Sequence, residues 1–408
     1  MIVYFFLTGF VVYLLLDLYF YRSFKIFLRK KSKKSKIIVN SLYWTLSGFC
    51  YGLLIYFIIT VSLGNPTPII ARTYFGGIFF ITLASKLVGA TIIILGDTYH
   101  LAEKTIIKSE NGITRAEFIK KTGVVMAGIP FIGLINGMSS TAYDYTINNV
   151  NLKIPNLPQS FEGFKILQIS DIHTGSFISK EPFKEAVELI NQQDADIAFF
   201  TGDLVNDIAE EALPYAEVLK NIETKMGVYS ILGNHDYGDY FYKRDDFKGK
   251  QHNRDLMRKI HESMNWDLLL NENRIITKNN ESIALMGVEN WGDKGRFQKY
   301  ADLDKVKKGI ENHPAKLLLS HDPSHWDAKI NTEHKDIACT FSGHTHGMQF
   351  GVKLPDFQWS PVQYIYEQWS GLYQKDNQQL YVNTGLGFIG YPGRVGISPE
   401  ITVFTLHS

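Results

Sequence analysis

Five short blocks of this chain carry groups that bind metal ions, and each closely follows an apolar run. Asp171-Ile172-His173 comes after KILQIS, Thr201-Gly202-Asp203 after DIAFF, Gly233-Asn234-His235-Asp236 after VYSIL, His321 after AKLLLS, and Gly343-His344-Thr345-His346 after IACTF. Singly each block is weak. An Asp-x-His reads as a surface pair, Gly-Asp and Asn234 read as turn residues, and His321 reads as a histidine satisfied within a core. Together they put a metal-binding group after each of these five runs, none of which carries a histidine or, past its first residue, a carboxylate. Imidazole nitrogens mixed with carboxylate and amide oxygens favour Mn, Fe or Zn over Ca or Mg, which prefer all-oxygen surroundings.

The elements that must position these groups are legible in the same stretch. The five runs are five or six residues long and apolar nearly throughout, as expected of strands covered on both faces. Between the first two, KEPFKEAVELINQQ puts Phe183, Val187 and Ile190 on one helical face, and EALPYAEVLKNIE is expected to act as a helix before the third. Strand and helix alternating in this way predict an α/β domain. In an open α/β sheet the carboxyl ends of strands line one crevice, so groups far apart in sequence meet there. Glycines beside the ligands supply the tight turns such loops need.

The amino-terminal third has a different pattern. Residues 2–21, 37–63 and 69–97 are each long and apolar enough to cross a hydrocarbon core, which takes ~20 residues as a helix. A shorter, glycine-rich segment with Pro130, residues 123–139, is a fourth span. Asp17, Lys86 and Asp97 lie in or at the edges of these runs, and an intramembrane lysine is expected to snorkel or to pair inside the bundle. Arg22, Lys25, Arg29, Lys30, Lys31, Lys33, Lys34 and Lys36 mark the first loop as cytoplasmic, GNPTP fits an outer turn, and Lys104, Lys108, Arg115, Lys120 and Lys121 restore the basic signal. Four spans put everything after about residue 140 outside the cytoplasmic membrane, whereas three would leave it inside. The domain boundaries that follow are a transmembrane domain over 1–141, a polar connector over 142–160 and the α/β domain over 161–408.

The five blocks resemble those of the calcineurin-like metallophosphoesterases, in order and without a substituted ligand, over roughly residues 160–408. Joined to a membrane part, the chain is similar to the membrane-anchored bacterial branch of that family. The resemblance implies a β-sandwich with helices on both outer faces and two divalent metal ions. One would be held by Asp171, His173, Asp203 and His346, the other by Asp203, Asn234, His321 and His344. Asp203 would bridge, since a carboxylate has two oxygens and paired catalytic ions stand ~3.5–4 Å apart. Water between such ions loses a proton near neutral pH and attacks phosphorus in line. His235, left without a metal, would protonate the leaving oxygen, oriented by Asp236. Arg394, in GFIGYPGRVGISPE, would fork onto phosphate.

Composition narrows the alternatives. The formal net charge is +1, and the domain has no dense Lys/Arg stripe with interleaved aromatics, which argues against nucleic acid. Cys50 and Cys339 sit in separate apolar segments and form no disulfide framework. A membrane sensor using a phosphoesterase-like binding domain is a rival from another class, but such a protein would be expected to lose a bridging or acid residue. A pyrophosphatase acting on nucleotide-linked lipid precursors requires the cytoplasmic, three-span arrangement. Trp359, Val362, Tyr366, Trp369 and Tyr373 recur at helical spacing after the last block. That stripe is either core or a membrane-facing surface, and in the second case the phosphoester is carried on a lipid.

Overall fold

The structure is a computed structural model that describes residues 2–63, 67–102, 112–295, 297–355 and 357–408. Lys104, Lys108 and residues 64–66 of the expected outer turn lie outside the described residues, as does the side chain of Arg115. The chain divides into two compact units, residues 1–138 with 390–392, and residues 139–389 with 393–408.

The first unit is helical: α1 (Ile2–Leu28), α2 (Lys33–Ser62), α3 (Gly76–Ala102, led in by a wider turn over Ile70–Phe75) and α4 (Gly112–Ser139). Helices apolar on every side suit a bilayer rather than water. Among the described residues, three stretches are long and apolar enough to cross one, at Lys33–Ser62, Ile70–Ala102 and Glu117–Tyr143. The apolar run 2–21 is helical within α1, which is not among the three. Pro130 lies inside α4. Lys86 pairs inside the bundle, 2.7 Å from Asp17 Oδ1. Asp97 sits 2.6 Å from Lys120.

The second unit is built on two six-stranded sheets. The strands are β1 (Thr146–Lys153), β2 (Lys165–Ile169), β3 (Ile197–Phe200), β4 (Val228–Ser230), β5 (Trp266–Leu268), β6 (Glu272–Lys278), β7 (Glu281–Gly287), β8 (Lys316–Leu319), β9 (Cys339–Ser342), β10 (Val352–Leu354), β11 (Phe357–Trp359), β12 (Gly371–Lys375), β13 (Gln378–Val382) and β14 (Glu400–His407). One sheet runs β1-β14-β2-β3-β4-β5 and the other β12-β13-β9-β8-β7-β6, while β10 and β11 form a separate hairpin. From β2 to β5 and from β7 to β9 neighbouring strands are parallel.

Strand alternation explains why these runs are apolar throughout. In β3, Ile197 and Phe199 face the opposite sheet, packing with Ile166 and Phe404 of their own sheet against Leu317, Leu319 and Phe341 of the other. Ala198 and Phe200 point the other way, to a layer with Phe183, Val187 and Ile190 of α5 (Glu181–Asn191) and with Met257 and Ile260, which lie on the helix Phe247–Ser263. Ala284, Met286 and Leu318 cover the far face of the second sheet with Val306, Trp326 and Ile330. The result is the helix-flanked β-sandwich.

Three expectations change. The helix in EALPYAEVLKNIE shrinks to Ala216–Leu219, because Pro214 has no N–H to carry a helix through it. Residues 146–153 of the expected connector are instead β1, an edge strand parallel to β14. Its polar sequence TINNVNLK suits an edge, where Leu152 is the one fully buried residue of the strand. The aromatic stripe is no helix. Ser360-Pro361 opens a short 3-10 turn, Gly371 begins β12, and Val362, Tyr366 and Trp369 pack with Ile397 as a small core.

Candidate metal centre

The carboxyl ends of β2, β3, β4, β8 and β9 bring the five blocks together. His173 Nε2 and His346 Nε2 lie 3.0 Å apart, and His346 Nε2 is 3.4 Å from Asp171 Oδ1. Beside them, His321 Nε2 is 3.1 Å from Asp203 Oδ2. His344 Nδ1 is 3.3 Å from His321 Nε2 and 2.7 Å from Asn234 Oδ1. Asp171, His173 and His346 thus form one potential metal-binding group, and Asp203, His321 and His344 a second. Asp203 Oδ2 also faces the first group, 3.6 Å from His173 Nε2.

These spacings suit metal ligation. Donors at about 2.0–2.2 Å from one ion stand about 3–3.5 Å from one another, and the facing atoms here are lone-pair donors. The far ring nitrogens are engaged as well. His173 Nδ1 lies 3.1 Å from the Val205 carbonyl and His321 Nδ1 2.7 Å from that of Thr201. A carbonyl only accepts, so each Nδ1 carries a proton, and in the neutral ring Nε2 turns its lone pair to the centre. His344 is held the other way round, with Nε2 2.8 Å from the Tyr366 hydroxyl and 3.5 Å from Asp322 Oδ2, which leaves Nδ1 for the centre.

Holding the groups there strains the backbone. Asp171, His173, Asp203, His344 and His346 all have positive φ, between 50° and 73°. A non-glycine residue in that region costs of order 1–3 kcal/mol and persists where the surroundings over-determine it, as at functional sites. Two glycines make the approach possible. A Cβ on Gly233 would lie 2.2 Å from Asp203 Oδ1, and one on Gly343 1.9 Å from Ser170 Oγ and 2.2 Å from Asp171 Oδ2.

The ligand groups also shift one another's protonation. Burial raises the Asp171 carboxyl to about 6 and lowers His173 to about 3. Burial also opposes charge on Asp203 and His321, but each outweighs it for the other. Asp203 is held well below the usual carboxylate range, chiefly by His321 and His235, and His321 is pushed up to about 10, chiefly by Asp203.

The three residues outside the metal groups have distinct settings. His235 is part-buried, its Nδ1 2.6 Å from the Asn206 carbonyl and its ring 4.4 Å from that of Tyr240. Asp236 does not orient it. Its buried carboxylate accepts the backbone N–H groups of Asp203, Leu204, Val205 and Gly233, which fixes the loop carrying Asp203. Burial and the Asp203 charge raise Asp236 to about 7. Arg394 is 0% exposed and its guanidinium donates to the carbonyls of Thr384, Gly385 and Gly387, with Nη2 3.4 Å from His346 Nδ1. It clamps the loop behind Asp171 and His346 rather than reaching outward as a phosphate fork.

Sequence reading missed Asp322, Tyr366, Tyr240 and Phe297. Asp322 adjoins His321 and carries its own signal, a carboxylate next to a ligand. Tyr366 was visible only as part of the apolar stripe. Phe297 packs edge-on against His344, 4.9 Å between centroids, and the Tyr240 hydroxyl accepts from Asn234 Nδ2 at 2.9 Å.

Residues 164–348 match the family model described as Calcineurin-like phosphoesterase, and residues 2–142 match the one described as Probable Calcineurin-like phosphoesterase, transmembrane domain. The chain is a calcineurin-like metallophosphoesterase with a transmembrane domain. Its relatives carry the same description. YkuE of Bacillus subtilis strain 168, an uncharacterized metallophosphoesterase, is 28% identical over 307 residues, covering 72% of this chain and 98% of that protein. Cj0846 of Campylobacter jejuni, also an uncharacterized metallophosphoesterase, is 26% identical, covering 81% and 78%. A transmembrane protein with metallophosphoesterase domain from Danio rerio is 26% identical over 69% of this chain, which spans 61% of that relative's length. This metallophosphoesterase is therefore a membrane protein and a hydrolase of phosphoesters, and its family uses divalent metals.

Proposed function

We propose that the chain hydrolyses a phosphomonoester or phosphodiester with two divalent cations held side by side. Asp171, His173, Asp203 and His346 would hold one, and Asp203, Asn234, His321 and His344 the other. The observation that carries this reading is Asp203 Oδ2, which faces a histidine of each group at 3.6 and 3.1 Å. Bound there, Mn, Fe or Zn ions would supply positive charge for the phosphoryl oxygens and lower the pKa of an attacking water; manganese is the first to try.

The protein groups act around that centre. His235, its Nδ1–H fixed by the Asn206 carbonyl, offers Nε2 to protonate the leaving oxygen. Asp236 and Arg394 act as positioning residues, the first through the Asp203 loop and the second through the Thr384–Gly387 loop. Asp322 and Tyr366 turn His344 Nδ1 towards the second ion.

The substrate we infer is a phosphoester borne on a membrane lipid. Two features support this. Tyr240 is 50% exposed beside His235, and the rings of Phe297 and Tyr366 flank His344, which gives the reacting centre an aromatic rim suited to an apolar leaving group. The domain is also tethered to membrane helices. The basic loop between α1 and α2 supports the domain lying outside the cytoplasmic membrane. An export-dependent reporter fused after residue 145 should be active. Activity only from a reporter requiring the cytoplasm would reverse that orientation and favour a nucleotide-linked lipid.

The test of the chemistry is hydrolysis of nitrophenyl mono- and diesters by the full chain in detergent, stripped of metal and resupplied with Mn, Fe or Zn. Activity that returns with metal, and is absent in Asp203→Asn, is expected. Equal turnover in the stripped protein would overturn the reading.

A further inference from the structure

The hairpin β10–β11 stands outside both sheets. Its register pairs Leu354 with Phe357, Lys353 with Gln358 and Val352 with Trp359. Side chains alternate along a strand, so Val352, Leu354, Phe357 and Trp359 form one face and Lys353 and Gln358 the other. The polar face has partners. Lys353 Nζ is 3.6 Å from the buried carboxylate of Glu400, and Gln358 Nε2 donates to the Ser370 carbonyl at 3.5 Å. The apolar face is open, with Leu354 59%, Phe357 56% and Val352 40% exposed. A lone two-stranded hairpin is marginal in water, and an exposed apolar one is a liability unless something covers it.

Its surroundings point to the cover. The hairpin borders a cavity of about 710 Å³ at the edge of the sandwich, where the outermost strands β1 and β12 contribute Thr146, Asn148 and Leu372. Thr146, on that rim, begins β1, and α4 ends at Ser139. Even fully extended, that chain reaches about 25 Å. The rim of the cavity is therefore leashed to the end of an apolar helix. A Trp and a Phe beside aliphatic residues, with a lysine behind them, are the residue types that settle at a bilayer–water interface.

We propose that the hairpin is an interfacial foot. Leu354, Phe357 and Val352 enter the outermost apolar layer of the bilayer, Trp359 sits at headgroup level, and Lys353 faces anionic phospholipid headgroups at the cavity mouth. This contact is independent of which phosphoester is hydrolysed and of whether two metals are bound.

The test uses the full chain in lipid nanodiscs with an environment-sensitive fluorophore on Phe357→Cys. The native Cys50 and Cys339 are buried and unlabelled. Ile275→Cys serves as reference, since Ile275 is 52% exposed on β6, the strand at the opposite edge of its sheet from β12. The Phe357 label should be blue-shifted and quenched several-fold more strongly than the Ile275 label by nitroxides on the upper acyl chains. Leu354→Cys should behave like Phe357→Cys and covers the case in which one variant misfolds. Adding anionic lipid should strengthen quenching, and Lys353→Gln should remove that gain. Quenching no greater at 357 and 354 than at 275 overturns the foot. Quenching indifferent to lipid charge overturns the part given to Lys353.

Discussion

The two units of this chain each bury charge, and they treat it differently. In the helical unit the Lys86 ammonium donates to Asp17 Oδ1, Ser47 Oγ and the Tyr13 hydroxyl at 2.7, 2.9 and 2.9 Å, spending its three hydrogens. Asp17 in turn accepts from Tyr43, Ser47 and Tyr51, so three helices close on one pair with nothing left over. In the phosphoesterase unit, Asp171, Asp203 and four histidines turn acceptor atoms towards one another, on five backbones of positive φ. The first arrangement is complete as protein. The second, on the reading proposed above, takes cations between the acceptors, and this would distinguish a structural buried charge from a binding one.

Removing His235 probes the open cluster without touching a ligand. His235→Ala should keep its metal content yet slow turnover on poor leaving groups by about 10²–10⁴-fold. Loss of metal in that variant would show that His235 has been given the wrong task.

The closed pair breaks differently. Lys86→Met leaves Asp17 buried without its partner and should cost about 3–5 kcal/mol, whereas Lys86→Met with Asp17→Leu should cost far less. Thermal unfolding in detergent reads both, and equal losses in the two variants would remove the distinction drawn above.

A second buried charge, partnered on one side by the part-exposed Lys353, lies in the phosphoesterase unit. Burial opposes ionisation of Glu400, but the Lys353 charge and hydroxyls of Tyr381, Thr384 and Thr402 outweigh it and bring the carboxyl to about 2. Its folded pKa is below its unfolded one, so the stabilisation is full above pH ~4.5 and drains away as pH falls towards ~2, about 3 kcal/mol in all. Wild type should therefore lose stability over that window more steeply than Glu400→Gln. Parallel acid limbs for the two proteins would contradict the assignment.

The smallest effect should come from behind the second metal group. Tyr366→Phe removes the hydroxyl 2.8 Å from His344 Nε2 and should weaken metal binding by about 10–100-fold, as loss of such supporting partners does. Competition with a chromogenic chelator measures it, and unchanged affinity would make Tyr366 a packing residue only.

What the sequence displayed and what it hid follow from locality. The ligand blocks were legible because donor, glycine and strand end are neighbours in the chain, as in GNHD and GHTH, and the α/β alternation was legible because strands covered on both faces are apolar throughout, whereas the sandwich followed only from the family resemblance. The edge strand β1 was hidden by its own setting, since TINNVNLK buries little. The aromatic stripe mimicked a helix until Pro361 and Gly371 are given their weight. Asp236 and Arg394 are catalytic candidates by type, yet the Asp236 carboxylate is spent on the backbone of the distant Asp203 loop and Arg394 Nε and Nη2 on carbonyls of the neighbouring Thr384–Gly387 loop, which side-chain identity does not announce. Tyr366 meets His344 only because the chain turns back over 22 residues.

The central claim is that one carboxylate serves both metal groups. Metal content per chain, measured by mass spectrometry after equilibration with Mn, Fe or Zn, tests it most directly in wild type and Asp203→Asn. The account predicts two ions per wild-type chain and loss of metal from both groups in the variant, with the fold intact by circular dichroism. A folded Asp203→Asn protein that still holds two ions would contradict it.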